Sequence, residues 1–164
     1  ILATYVLYQY EGIPYPVIIV LVLAIIFSFI TNNTKFGRQV YAMGGNVEAA
    51  RLSGINVRRR TLVVFVFAGL LASIAGVLTT ARLNAATITA GEGAELDAIA
   101  SCVIGGTSFL GGIGSIPGAV LGALVMASLD NGMSMMNTEA YWQPIIKGSI
   151  LLLAVWLDIK TKKK

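Results

Sequence analysis

The chain has 164 residues, of which 56% are hydrophobic and only 12% charged, and it carries a formal net charge of +4. A soluble domain charges about a quarter of its residues, so a disordered tail is excluded and an ordinary soluble domain is disfavoured. Residues 12–34, 61–81 and 98–129 carry no charge at all, and a bilayer-spanning helix needs ~20 mostly apolar residues. The chain therefore reads as an integral membrane protein. Its fold class is all-α, because isolated strands leave backbone groups unsatisfied in lipid. The expected architecture is a polytopic bundle of four to five segments, one of them Gly-rich and either broken or re-entrant.

Several chemistries drop out. There is no histidine, which removes His-based catalysis, a His-ligated zinc site and a His-ligated haem. The single cysteine, Cys102, cannot form an internal disulfide, and in its apolar setting it reads as a small buried hydrophobe. No catalytic residue, metal site or cofactor is expected. The positive charge reads as cytoplasmic loops rather than as a nucleic-acid surface.

In chain order, residues 1–10 read as the trailing end of an earlier apolar segment. The whole chain, 1–164, then reads as the C-terminal part of a longer permease-like transmembrane domain. The first clear span covers about 14–30. Its core, Val17-Ile18-Ile19-Val20-Leu21-Val22-Leu23, is apolar all round, as a lipid-embedded helix should be. Pro14 and Pro16 sit at its start, where a missing N–H is harmless. Tyr5, Tyr8, Tyr10 and Tyr15 cluster just before it, which predicts one headgroup level.

Residues 31–60 form a polar, cationic connection. A second span follows over 61–80, with Ala68, Ala72 and Gly76 at four-residue spacing. That stripe would let another helix approach closely in lipid. Residues 82–97 switch sign, and Glu92, Glu95 and Asp97 read as a solvated outer loop. The next stretch, 98–129, would rise about 48 Å as one helix at ~1.5 Å per residue, well beyond the ~30 Å hydrocarbon core. It predicts a broken pair instead. One helix ends near Gly105-Gly106, and a break runs through Gly111-Gly112-Ile113-Gly114-Ser115. A second helix begins near Pro117, and its Gly114, Gly118 and Gly122 spacing packs it against protein. Residues 130–140, with Asp130 and Glu139, read as another acidic connection. The last span covers about 141–157, with Lys147 snorkelling to the nearer interface.

Lys35, Arg38, Arg51, Arg58, Arg59 and Arg60 lie in the 31–60 connection, and Lys160, Lys162, Lys163 and Lys164 close the chain. These are ten of the twelve cations. The positive-inside rule then places the 31–60 connection and the C-terminus in the cytoplasm.

The most informative run is Gly44-Gly45-Asn46-Val47-Glu48-Ala49-Ala50-Arg51-Leu52-Ser53-Gly54-Ile55. Asn46 is a natural N-cap. Glu48 complements the helix dipole, and Gly54 is a natural C′ terminator. The result is a two-turn helix over 46–54 inside a cytoplasmic loop, too short to stand alone. It must dock, on the protein's own cytoplasmic face or on a partner.

Glu48-Ala49-Ala50 followed by Gly54 resembles the EAA-x3-G core of ABC-importer permeases. The wider run from Gly37-Arg38-Gln39-Val40-Tyr41 through Gly44-Gly45-Asn46 to Ser53-Gly54-Ile55 is similar to the monosaccharide permeases of the ribose and xylose type. So is Ile104-Gly105-Gly106-Thr107-Ser108-Phe109-Leu110-Gly111-Gly112-Ile113-Gly114-Ser115, running into Pro117-Gly118-Ala119. The family's Leu-Pro after its glycine is missing here, so only matching positions carry over. The resemblance implies a bacterial cytoplasmic (inner) membrane permease subunit of an ATP-driven importer of a small neutral sugar, with D-xylose, a pentose, as the implied solute. The implied partners are a cytoplasmic ATP-binding subunit, an extracytoplasmic sugar-binding protein, a second permease copy and the lipid bilayer, with no nucleic acid. The implied ATPase-coupling residues are Gly45, Asn46, Glu48, Ala49, Ala50, Arg51 and Gly54.

Ser101, Gly105, Gly106, Thr107, Ser108, Gly111, Gly112 and Ser115 are candidates for the translocation pathway. Neutral donors and acceptors suit a neutral sugar, and non-helical backbone at membrane depth is tolerated where it lines a cavity or is buried in protein. Close helix packing through the glycines is the plainer reading of the same residues. A phosphate-loop reading fails, since no lysine follows the second glycine pair. Two rivals remain: a secondary transporter with a discontinuous helix, and an intramembrane enzyme. The first would be expected to place an ionisable residue in 98–129, which has none. The second needs a nucleophile–base pair or metal site, for which the chain offers few residues.

Overall fold

The computed structural model describes residues 15–85, 91–137, 139 and 141–162. Tyr5, Tyr8, Tyr10, Pro14 and the last lysines, 163–164, lie outside the described residues. Among those described there are seven helices and no strand. In chain order they are α1 (Tyr15–Asn33), α2 (Lys35–Gly45), α3 (Val47–Leu52), α4 (Val57–Leu83), α5 (Ala94–Ile104), α6 (Ile116–Met135) and α7 (Trp142–Lys162).

Four of them, α1, α4, α6 and α7, are long and apolar enough to cross a bilayer. Their outer surfaces are built for lipid. Phe65 and Leu152 are each 72% exposed and Val77 is 69% exposed; neither α1 nor α4 buries any residue. In water such faces would aggregate, whereas in hydrocarbon they are matched to their solvent.

The 31–60 connection holds more helix than the sequence reading allowed. α2 occupies 11 residues of it. Thr34 caps α2, its hydroxyl oxygen accepting from the Gly37 N–H at 3.3 Å while the hydroxyl donates to the Ile30 carbonyl at 2.6 Å. Gly37 lets α2 fold back on α1, since a Cβ there would strike the Thr31 carbonyl. Phe67 of α4 closes this corner, edge-on to Phe27 of α1 at 5.6 Å and to Phe36 of α2 at 5.9 Å.

The charged boundaries also shift. α4 starts at Val57, so Arg58, Arg59 and Arg60 are helical rather than in a loop. α5 starts at Ala94, which puts Glu95 and Asp97 in a helical first turn and corrects the outer-loop reading. α6 runs on to Met135 and takes in Asp130. The helix dipole explains the first of these acidic corrections, because carboxylates are favoured in a first turn.

α5 ends at Ile104 and α6 begins at Ile116, with non-helical residues 105–115 between them. The two helices pack at backbone distance. A Cβ on Gly105 would strike the Gly118 carbonyl, and one on Gly122 would strike the Ser101 carbonyl. The 68/72/76 stripe behaves differently. Ala68, Ala72 and Gly76 are exposed and no atom lies within 4 Å of where a Gly76 Cβ would stand, so no described helix of this chain covers it.

One comparison within α6 tests this packing. Gly122→Ala should destabilise the protein by about 3 kcal/mol or more, the upper end for overpacking, because backbone rather than a flexible side chain blocks the new methyl. Gly132→Ala, where a Cβ meets nothing within 4 Å, should be neutral or stabilising by up to about 1 kcal/mol through helix propensity. Thermal unfolding of the detergent-solubilised full-length protein reads both, and equal losses would refute the backbone contact.

Candidate functional site

Two regions carry the sequence-predicted site residues, and the end of α2, just before the first of them, meets the second. The first is α3. Asn46 is its N-cap, with the Oδ1 oxygen accepting from the Ala49 N–H at 3.0 Å. The far end is a complete reversal: the Ile55 N–H donates to the Ala50 carbonyl at 3.1 Å and the Gly54 N–H to the Arg51 carbonyl at 3.0 Å. That pattern requires a left-handed residue at C′, and Gly54 supplies it with φ of 82°. A helix of six residues cannot hold itself, so both caps and its packing on α2 and α4 fix it.

Its outer surface is open. Ala50, 3% exposed, is its buried anchor. Glu48 and Arg51 face outward, 3.9 Å apart, a separation and exposure at which an ion pair adds little. Leu52 is 87% exposed and Val47 48%. Gly45 ends α2, and a Cβ added there would meet nothing within 4 Å. The arrangement offers a protruding turn with an apolar tip, flanked by exposed Arg38, Arg58 and Arg59.

The second region is the 105–115 segment. α5 ends by the same device as α3. The Thr107 N–H donates to the Cys102 carbonyl and the Gly106 N–H to the Val103 carbonyl, both at 2.9 Å, around Gly106 at φ of 86°. The backbone then closes a tight loop, with the Ser108 N–H donating to the Ile113 carbonyl at 2.8 Å. Gly111 and Gly112, at φ of 90° and 74°, make the turn inside it. Ser115 caps α6, its Oγ accepting from the Gly118 N–H at 3.2 Å. From α7, Asp158 accepts from the Phe109 N–H at 3.2 Å and from the buried Ser108 hydroxyl at 3.4 Å.

A cavity of about 350 Å³ lies where this segment meets α1, α2 and α6. Thr107, Ser108, Gly111, Gly112 and Ser115 line it, with Thr31, Tyr41 and Cys102. Most of its hydroxyls are already engaged: Thr31 with the Phe27 carbonyl, Tyr41 with the Gly114 carbonyl and Ser108 with Asp158. Ser101 lies elsewhere, buried against α6 with its hydroxyl on the Asp97 carbonyl at 2.6 Å. Cys102 is exposed rather than buried, because α5 turns its other face, through Ala100 and Ser101, toward α6.

Sequence reasoning missed a third cluster. Lys147 of α7 does not snorkel outward as expected. Its Nζ donates to Asp97 Oδ2 of α5 at 2.8 Å and stands 2.8 Å from Asp130 Oδ1 of α6. The Lys147 side chain is only 18% exposed. One cation thus joins three helices. A partial signal was available, since an ionisable residue inside a span calls for a partner, but the sequence does not say which carboxylates supply it.

A family profile described as "Branched-chain amino acid transport system / permease component" matches residues 1–155. The chain is 57% identical over 162 residues to the xylose transport system permease protein XylH of Haemophilus influenzae, covering 99% of this chain and 43% of that one. It is 56% identical over 162 residues to XylH of Escherichia coli, covering 99% and 41%. It is 46% identical over 149 residues to the ribose import permease protein RbsC of Escherichia coli, covering 91% and 46%. The chain spans less than half the length of these curated relatives. No solved structure matches it.

The lysine cluster generates a stability prediction. Lys147→Ala leaves two carboxylates facing each other without a cation; because the cluster is partly exposed, the loss should be about 1–3 kcal/mol, below the cost of breaking a fully buried pair. Lys147→Met combined with Asp97→Asn and Asp130→Asn removes all three charges and should recover most of that loss. Thermal unfolding in detergent distinguishes the two. A triple variant as unstable as Lys147→Ala would show that the charges are not what joins the helices.

Proposed function

The chain belongs to the branched-chain amino acid transport system permease-component family, and from that premise we propose that it forms part of the membrane subunit of an ATP-driven monosaccharide importer. The observation that carries this reading is the match to xylose and ribose permease proteins over at least nine-tenths of the chain. The proposed solute is a neutral pentose, D-xylose. The subunit itself does no covalent chemistry in this reading. ATP is hydrolysed by a separate cytoplasmic subunit, a sugar-binding protein delivers the solute from outside, and a second permease copy completes the pathway.

In this reading α3 is the docking element for the ATPase. The geometry supports it in three ways. The helix is capped at both ends, it projects Leu52 and the half-exposed Val47, and exposed cations lie on α2 and at the start of α4. The same charges orient the molecule. With α2, α3 and the start of α4 in the cytoplasm, α4 runs outward, the α5–α6 pair enters and returns, and α7 brings the C-terminus back inside. Segment 105–115 then lies toward the cytoplasmic end of the solute pathway, beside the cavity.

Gly54→Val removes the left-handed C′ residue, and Glu48→Lys sets a cation against the helix N-terminus. The exposed dipole contribution is only about 0.3–1 kcal/mol, too small to unfold a multi-span protein. The double variant should therefore insert normally and leave sugar capture by the external protein unchanged. ATPase binding, sugar-stimulated hydrolysis and pentose uptake in the reconstituted transporter should each fall at least tenfold. Full ATPase binding and full stimulated hydrolysis by this variant would overturn the docking assignment. Wild-type uptake driven by an ion gradient after ATP depletion would favour a secondary transporter instead.

A further inference from the structure

The main helix contacts of α3 are with α2 and α4, its neighbours in the chain. A push on α3 therefore has a path to the 105–115 segment through α2. One direct connection lies at the C-terminal turn of α2, immediately before Asn46. A Cβ on Gly44 would stand 2.7 Å from the Gly112 nitrogen, and one on Gly112 would stand 3.0 Å from the Gly45 Cα. A Cβ on Gly111 would strike the Gly44 carbonyl. The two segments thus meet main chain to main chain, with no side chain between them. Beside this contact the Tyr41 hydroxyl donates to the Gly114 carbonyl at 2.8 Å.

The contact has the stiffness that a transmission element requires. Close-packed backbone has little room to yield. The receiving loop is braced from behind by Asp158 at Ser108 and Phe109, and closed internally by the Ser108–Ile113 hydrogen bond. On the sending side only the capping residue Asn46 separates Gly45 from the first residue of α3.

We propose that Tyr41 and Gly44 are positioning residues that transmit displacement of α3 to the 105–115 segment, and through it to α5 and α6. This inference rests on the reading of α3 as the ATPase docking element. It adds that docking and transmission are separable: α3 binds the ATPase, while the Tyr41–Gly44 contact converts its movement into opening of the pathway.

The test uses the complete transporter, full-length permease with its ATPase and sugar-binding protein, in proteoliposomes. Tyr41→Phe deletes one hydroxyl with almost no change of shape. Gly44→Ala adds one methyl to the backbone contact. Gly69→Ala, where a Cβ meets nothing within 4 Å, is the matched control. ATPase binding, ATP hydrolysis and pentose uptake are measured together, and uptake per ATP hydrolysed is the deciding quantity. Tyr41→Phe should keep ATPase binding and hydrolysis while lowering uptake per ATP three- to tenfold. Gly44→Ala should lower it more than tenfold, and the control should match wild type. If Gly44→Ala fails to insert, Tyr41→Phe alone decides.

Unchanged uptake per ATP in Tyr41→Phe overturns the proposal. So does a parallel loss of ATPase binding, because the contact would then only shape the docking surface. A wild-type permease that binds no ATPase overturns the docking reading itself, and the proposal falls with it. A wild type that binds it, with unaffected variants, overturns the proposal alone.

Discussion

Backbone-to-backbone contact through glycine is the interaction on which the rest of this structure depends. Lipid offers helices no hydrophobic reason to associate, so close approach and dispersion must do it. Gly105, Gly118 and Gly122 bring α5 and α6 together at that distance, and Gly44, Gly111 and Gly112 do the same between α2 and the 105–115 segment. At each contact a single methyl would meet a carbonyl, an amide nitrogen or a Cα rather than a movable side chain. The lysine cluster follows from this packing. Only when α5 and α6 are this close can one Lys147 reach Asp97 and Asp130 together.

The two kinds of contact divide the α5–α6 pair between them. At one end Lys147 joins it to α7 by charge. At the other, α7 returns through Asp158 to hold Ser108 and Phe109, and α2 meets Gly111, Gly112 and Gly114. The middle is held by glycine packing. A hairpin fastened in this way is braced along its length, by charge at one end, by hydrogen bonds and backbone contact at the other, and by close packing between.

The long apolar spans were legible because uncharged runs of the right length have few other meanings. Asn46 and Gly54 were legible because N-cap and C′ residues act locally, within a few positions of themselves. α2 was missed although Phe36, Val40 and Met43 stand at helical spacing. The density of cations and glycines around them drew the reading toward a loop. Asp97, Asp130 and Lys147 were read one at a time, as loop acids and a snorkelling lysine, because each lies near a span end and their meeting is tertiary. The contact of Gly44 with Gly111 and Gly112 had no sequence signal at all. Glycines predict that something can come close; they do not say what.

That limit also explains why the 105–115 residues divided as they did. Small polar residues beside glycines fit both a neutral-solute lining and a tight loop, and composition cannot choose between them. The geometry shows where the hydroxyls of Tyr41, Ser108 and Ser115 go: into hydrogen bonds that shape the loop and its neighbours. A group already committed to the main chain has to break that bond before it can hold a sugar, and a buried donor or acceptor left unmade costs about 1–3 kcal/mol. Thr107 is differently placed: its side chain lines the cavity against Gly114. Of the hydroxyls gathered here, it is therefore the one whose contact with a passing solute would disturb the loop least. In the proposed mechanism the others serve by keeping the segment in the shape against which α2 bears.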